Sequence, residues 1–174
     1  RPAEAVVKIV FETFGITEKI PDWTTIRTWL CRFGIASLEE PVEKAGDWIL
    51  MADHSNQIGT EKILVILGIR ESQLPKLGQP LRHEDVRVLA VVPGTEWKQE
   101  DVAREYKAVA ERVGQPMALV TDGATELRES ALALENAGQT VLVIRDFKHM
   151  AANFLKHQLD KDERFEEFLS KIGP

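Results

Sequence analysis

The feature that most constrains this chain is a change of rhythm part-way along it. Residues 48–52, 62–69 and 86–92 are three apolar runs rich in Val, Ile and Leu, separated by turn residues, with no helical segment long enough to cross between them. Consecutive strands joined in this way pair as antiparallel neighbours. After residue 100 the spacing alternates. Val102, Tyr106, Val109, Ala110 and Val113 recur at helical period, residues 117–121 read as a strand, Leu127, Ala131 and Leu134 as a second helix, residues 140–144 as a strand, and a last helix opens near Phe147. Strand, helix, strand is the signature of parallel pairing through a right-handed crossover.

A three-strand meander followed by helix, strand, helix, strand, helix predicts an α/β fold of the ribonuclease-H-like class. That fold has a mixed five-stranded sheet in which the first, fourth and fifth strands run parallel. Flavodoxin-like sheets also alternate strands and helices, but they lack the opening meander. Ahead of the sheet, Val7, Val10, Phe11 and Phe14 mark a helix stopped by Gly15; Pro21 and Asp22 open a second, with Ile26, Trp29, Leu30 and Phe33 at helical spacing and Gly34 as its end. Two short helices cannot make a core alone. Thr24, Thr25, Arg27, Thr28 and Arg32 lie between the apolar positions of the second helix, a face suited to phosphates and base edges if this is a recognition helix, and otherwise a solvated surface. Residues 39–47, with Pro41 and Gly46, read as a linker. The predicted organisation is a helical segment over 1–38, either part of a helix-turn-helix DNA-binding region or a plain solvated helix pair, a ribonuclease-H-like core over 47–159, and the start of a helical insertion or C-terminal helix over 160–174.

With 174 residues, 44% hydrophobic and 29% charged, the chain can bury one sizeable core, which excludes disordered and collagen-like classes. No apolar run approaches the roughly 20 residues that span a bilayer, and no leader precedes the first helix, so the expected compartment is the cytoplasm. A single cysteine, Cys31, excludes an internal disulfide framework and a multi-cysteine zinc site; its neighbours Leu30 and Phe33 predict a buried position. The net charge of −6 argues against coating of nucleic acid by bulk electrostatics but leaves local contacts open. GxGxxG, GxxxxGK[ST] and GxSxG are all absent, which removes dinucleotide, P-loop and hydrolase-elbow readings, including a triad built on His54, Ser55 and Asp122.

Asp53, Asp122 and Asp146 follow the three runs that should be parallel strands. Parallel strands bring their carboxyl ends to one edge, and ligands of open α/β sheets bind outside that edge. Two carboxylates on adjacent strands repel unless a cation lies between them, and such a site suits two Mg²⁺ or Mn²⁺ ions about 3.5–4 Å apart for in-line attack on a phosphodiester. The plain alternative is that each aspartate opens a turn, as Gly123 after Asp122 would suit.

Ala52-Asp53-His54-Ser55, Val120-Thr121-Asp122-Gly123 followed by an amphipathic helix, and residues 141–149 ending Asp146-Phe-Lys-His149 together resemble the catalytic core of DDE-type transposases. The resemblance covers about residues 47–159. It implies metal-dependent cleavage and strand transfer at transposon ends, with DNA as partner and an oligomeric active complex. Asp53 and Asp122, 69 residues apart, would be the first two metal ligands and catalytic acids. Mutator-like members carry Cys-x-x-His after the fifth strand, where this chain has Asp146-Phe-Lys-His149.

The third acid of such a triad is not evident. Relatives with a short second spacing would have a glutamate near position 157, where Lys156 and His157 stand; in those with a helical insertion the glutamate comes later, so this chain would end before its third carboxylate. Glu163, Glu166 and Glu167 are the late alternatives within a charged run that reads as a solvated helix face. Asp146, His149 and Asn153 fall at i, i+3, i+7 on one face of the last helix, opposite an apolar stripe of Phe147, Met150, Ala151 and Phe154. They are expected behind the metal ligands or on the scissile phosphate, with Asp146 also a natural N-cap. Arg27, Arg32, Lys148 and Lys156 are the expected DNA contacts. Two other functions fit the same pattern: a nuclease of this fold without strand transfer, and a non-catalytic core that only binds nucleic acid or protein.

Overall fold

The computed structural model describes residues 2–16, 21–58, 60–135, 140–159, 162, 164, 165, 167 and 171. It divides into two compact units, Arg1–Pro41 and Val42–Pro174. The first holds helices α1 (Pro2–Phe14) and α2 (Trp23–Glu39). Gly15 closes α1 in the left-handed region, with φ +64°, as its sequence position predicts. Asp22 caps α2 through a bond from the Thr25 amide at 2.8 Å. Gly34 does not end α2: its φ is not positive, and Ile35 to Leu38 continue the helix to Glu39, where Pro41 forces Glu40 into an extended conformation. No residue of α2 is buried, so Cys31 is exposed rather than a core residue; the unit is too small to close a core around it.

The second unit is an α/β fold with one mixed five-stranded sheet. Its strands are β1 (Trp48–Ile58), β2 (Glu61–Arg70), β3 (Arg87–Gly94), β4 (Ala118–Thr121) and β5 (Leu142–Arg145), in the spatial order β3-β2-β1-β4-β5. The pairs β1–β2 and β2–β3 are antiparallel; β1–β4 and β4–β5 are parallel. This order and these directions are those of the ribonuclease-H-like fold. β1 is longer than its apolar run: Asp53, His54 and Ser55 continue the ladder opposite Val65, Leu64 and Ile63. Asp53 is therefore a strand residue, not the opener of a turn.

Helix α3 (Gln99–Val113), the short helix α4 (Thr125–Glu129) and a 3₁₀ turn (Ser130–Leu134) cover one face of the sheet. Trp48, Leu50, Ala52, Leu64, Ile66, Leu89 and Leu119 from the strands meet Val102, Tyr106, Val109, Val113, Leu127 and Leu134 from the helices. The opposite face carries Val88, Leu67, Met51, Val120 and Ile144 in one row across all five strands. Of these, Leu67, Met51 and Val120 are half-buried, while Val88 and Ile144 are exposed. Helix α5 (Phe147–Leu159) follows β5 and buries none of its residues; Phe147 and Phe154 are 75% and 64% exposed, so the apolar stripe read from the sequence does not enter the core. Among the described residues no helix is long and apolar enough to cross a membrane.

Outside the sheet, the segment ahead of β1 is clamped to it. Arg70 pairs with Asp47 and, at 2.9 Å, with Glu43; its guanidinium lies 5.7 Å from the Trp48 ring centroid. The Ala45 amide donates to the Val113 carbonyl at 2.7 Å, and Gly114, with φ +95°, sits so close that a Cβ there would lie 2.6 Å from the Ala45 carbonyl oxygen. A side chain at 114 meets both a backbone conformation reserved for glycine and a backbone clash. Gly114→Ala is expected to cost at least about 1–3 kcal/mol from the dihedral strain alone, read as a lower urea midpoint at unchanged m-value; an unchanged midpoint would mean that this junction is loose.

Candidate metal-dependent active site

The register of the parallel strands builds the site. Ala52 lies beside Thr121 and Thr121 beside Arg145, so the next residue on each strand, Asp53, Asp122 and Asp146, falls in one row at the carboxyl edge. The Asp146 amide extends the ladder by donating to the Thr121 carbonyl at 2.7 Å. All three aspartates line a depression of about 150 Å³ on the face opposite α3, with Met51, Val65, Leu67 and Val120 as its apolar floor and His149 on its rim.

The three carboxylates differ in how many of their oxygens are already engaged. Asp53 accepts from the His54 amide at 2.8 Å and Asp122 from the Ala124 amide at 2.8 Å, each through Oδ1. Their Oδ2 atoms have no protein partner among the described residues. Asp146 uses both oxygens: Oδ1 accepts from the Lys148 amide at 2.7 Å, capping α5, and Oδ2 meets His149 Nδ1 at 2.9 Å. The His149 bond holds the Asp146 carboxyl below the usual range, and Asp146, aided by Asp53 and Asp122, raises the His149 imidazole. Two oxygen donors facing one depression suit a hard divalent cation, whereas Asp146 is committed to orienting His149. Among the described residues no group of three His, Cys, Asp or Glu side chains could hold a metal ion.

The expected trio on α5 divides. Asp146 and His149 line the depression, while Asn153 is exposed and does not. Lys148 and Lys156 are exposed on α5 and do not line it either. Arg27 and Arg32 are exposed on α2, with the Arg27 guanidinium 5.2 Å from the Trp23 ring centroid. Of the late acids, Glu163 and Glu166 lie outside the described residues, and Glu167 is exposed and pairs with Lys171 at 2.6 Å.

One cluster was not anticipated. On the other side of β1 from Asp53, His54 has a side chain only 5% exposed, its Nδ1 lies 3.7 Å from Glu126, and Lys62 Nζ reaches the same carboxylate oxygen at 3.7 Å. Burial, then Lys62, lowers the His54 imidazole, which is therefore neutral near pH 7. Strand alternation from Asp53, and a glutamate four residues after Asp122, were the signals that could have found it.

No family model matches the chain, and no curated protein matches it in sequence. Two solved structures are similar in part. A chain of the simian T-cell lymphotropic virus intasome in complex with PP2A regulatory subunit B56 gamma aligns over 66% of this chain and 40% of its own length, at 10% identity and TM-score 0.36. The HTLV-2 integrase catalytic core domain in complex with magnesium, in a trimeric form, aligns over 74% of this chain and 76% of its own, at 12% identity and TM-score 0.34. The present chain thus spans two fifths of the first. Strand order and direction, rather than these likenesses, carry the fold assignment.

The Asp146–His149 pair makes a pH prediction. His149 is raised on folding, so its contribution to stability is present below an ordinary imidazole value of about 6.5 and is lost as pH rises through the higher folded value; Asp146 is lowered, so its share is lost as pH falls through its depressed value. Asp146→Asn is expected to move the His149 titration, followed by NMR of the ring protons, to lower pH; no movement would mean that the pair does not form.

Proposed function

We propose that this chain is the catalytic-core portion of a DDE-type transposase, with Asp53 and Asp122 as the metal ligands and DNA as the substrate. The observation that supports this best is their placement side by side on adjacent parallel strands, each with one oxygen committed to the backbone and the other unclaimed. A bound Mg²⁺ or Mn²⁺ would supply Lewis-acid stabilisation of charge on the phosphoryl oxygens. The chain's own residues supply the rest.

Asp53 and Asp122 are the residues that would hold the cation. His149, fixed through Nδ1 by Asp146, presents Nε2, which has no protein partner among the described residues, and in its protonated form binds a non-bridging phosphate oxygen. Met51, Val65, Leu67 and Val120 form an apolar floor beneath these groups and leave the carboxylates and His149 as the polar atoms a phosphate would meet. Chemically, an oxygen–phosphorus bond forms to water or a 3′-hydroxyl as the bond to the leaving oxygen breaks, with one proton passing overall from nucleophile to leaving group.

The absence of a third ligating carboxylate among the described residues favours a second reading, in which this stretch alone binds DNA without cutting it. With two carboxylates the site should bind Mn²⁺ weakly, and the calorimetric heat should vanish in the Asp53→Asn, Asp122→Asn double variant. Unchanged heat in that variant would put the ion elsewhere and overturn the reading. On a labelled duplex with Mg²⁺, the 174-residue chain is expected to nick near background; robust nicking abolished by Asp122→Asn would show that the catalytic set is complete within these residues.

A further inference from the structure

Besides Lys62, which pairs with Glu126, the carboxyl edge carries a basic group, Arg145, that neither the motif pattern nor the depression includes. Arg145 is the last residue of β5, beside Thr121 in the ladder and directly before Asp146. Strand alternation turns its side chain away from the depression and over the turn that follows β4. At that turn Gly123 has φ +93°, and a Cβ on it would lie 3.4 Å from Arg145 Nε, 3.7 Å from Cδ and 3.8 Å from Cζ. The guanidinium and the end of its stem therefore rest on the Gly123 turn, immediately beyond Asp122.

Arg145 is exposed and, among the described residues, forms no ion pair. The neighbouring acids are otherwise occupied: Asp146 by His149 and the Lys148 amide, Asp122 in part by the Ala124 amide, and Glu126 by Lys62 and His54. A planar guanidinium with its donors unspent, set beside a row of carboxylates, repels no incoming phosphate and matches one bidentately. On a chain whose net charge is −6, such a local cation decides where a polyanion can approach.

We propose that Arg145, resting on the Gly123 turn, is a DNA-backbone contact of this site and binds a phosphate neighbouring the one at the Asp53–Asp122 pair. The proposal rests on the reading of the site as one that handles DNA, but its test needs neither metal nor catalysis. Binding of a fluorescent duplex is measured in EDTA over a salt series for the full 174-residue chain and for Arg145→Ala, Arg145→Lys and Arg112→Ala. Arg112 lies in the last turn of α3, before β4 begins, at the opposite edge of the parallel strands, and removes the same unit of charge far from the site.

Arg145→Ala is expected to weaken binding about five- to tenfold at low salt and to make the salt slope shallower by about one. Arg145→Lys should recover part of the loss and Arg112→Ala should change little, with all three variants melting at the wild-type temperature. Equal losses from Arg112→Ala and Arg145→Ala, or none from either, would overturn the proposal. The Asp53→Asn, Asp122→Asn double variant separates the two levels. If it loses Mn²⁺ heat while Arg145→Ala binds as wild type, the metal reading stands and the arginine contact falls; if it keeps Mn²⁺ heat while Arg145→Ala binds weakly, the contact stands and the metal reading falls.

Discussion

Everything at the carboxyl edge depends on the parallel pairing of β1 with β4 and of β4 with β5. Because Ala52, Thr121 and Arg145 share one row, the aspartates that follow share the next. A slip of one residue in either pairing would send one carboxylate to the α3 face, where Leu50, Leu119 and Tyr106 leave no place for charge. Register is held by what lies below it. Trp48, Leu50 and Ala52 on β1 and Leu119 and Thr121 on β4 are buried on the covered face, so any slip would expose that set and bury its polar neighbours.

The sheet is uneven in how its two faces are used. The covered face supplies cohesion, with Tyr106 completely buried, its hydroxyl donating to the Leu127 carbonyl at 3.3 Å and its phenol raised in pKa by burial. The other face supplies the depression, and its apolar row remains partly open from Val88 to Ile144. The core and the row of aspartates are thus separated by the thickness of one sheet, and β1 serves both: Ala52 and His54 point one way, Met51 and Asp53 the other.

The core was legible because its residues repeat at the periods of their elements. Leu64 and Ile66 alternate on β2, and Val102, Tyr106, Val109 and Val113 recur on α3, so both the elements and their buried faces followed from spacing. The convergence of Asp53, Asp122 and Asp146 followed from topology alone. What misled was local chemistry read without its surroundings. Gly34 resembled a stop but lies inside a helix that Pro41 ends; Cys31 and the Phe147–Phe154 stripe resembled core residues, yet α2 and α5 bury nothing. The Glu126–Lys62–His54 cluster and the Arg145–Gly123 contact join residues distant in the chain; alternation tells which face His54 and Arg145 take, but not which partner meets them there.

The two proposed metal ligands are mounted in different ways. Asp53 sits within β1, bound into the antiparallel ladder opposite Val65, while Asp122 stands past the end of β4, on a turn whose glycine takes φ +93°. One carboxylate is an anvil and the other a jaw. The turn is tied locally, by the Gly123 amide donating to the Thr121 hydroxyl at 3.2 Å and the Ala124 amide to Asp122 Oδ1 at 2.8 Å, so the position of one carboxylate is set by the sheet and that of the other by three residues of loop. A side chain at position 123 would meet both the positive φ and the Arg145 stem, and so would disturb Asp122 while leaving Asp53 in its ladder.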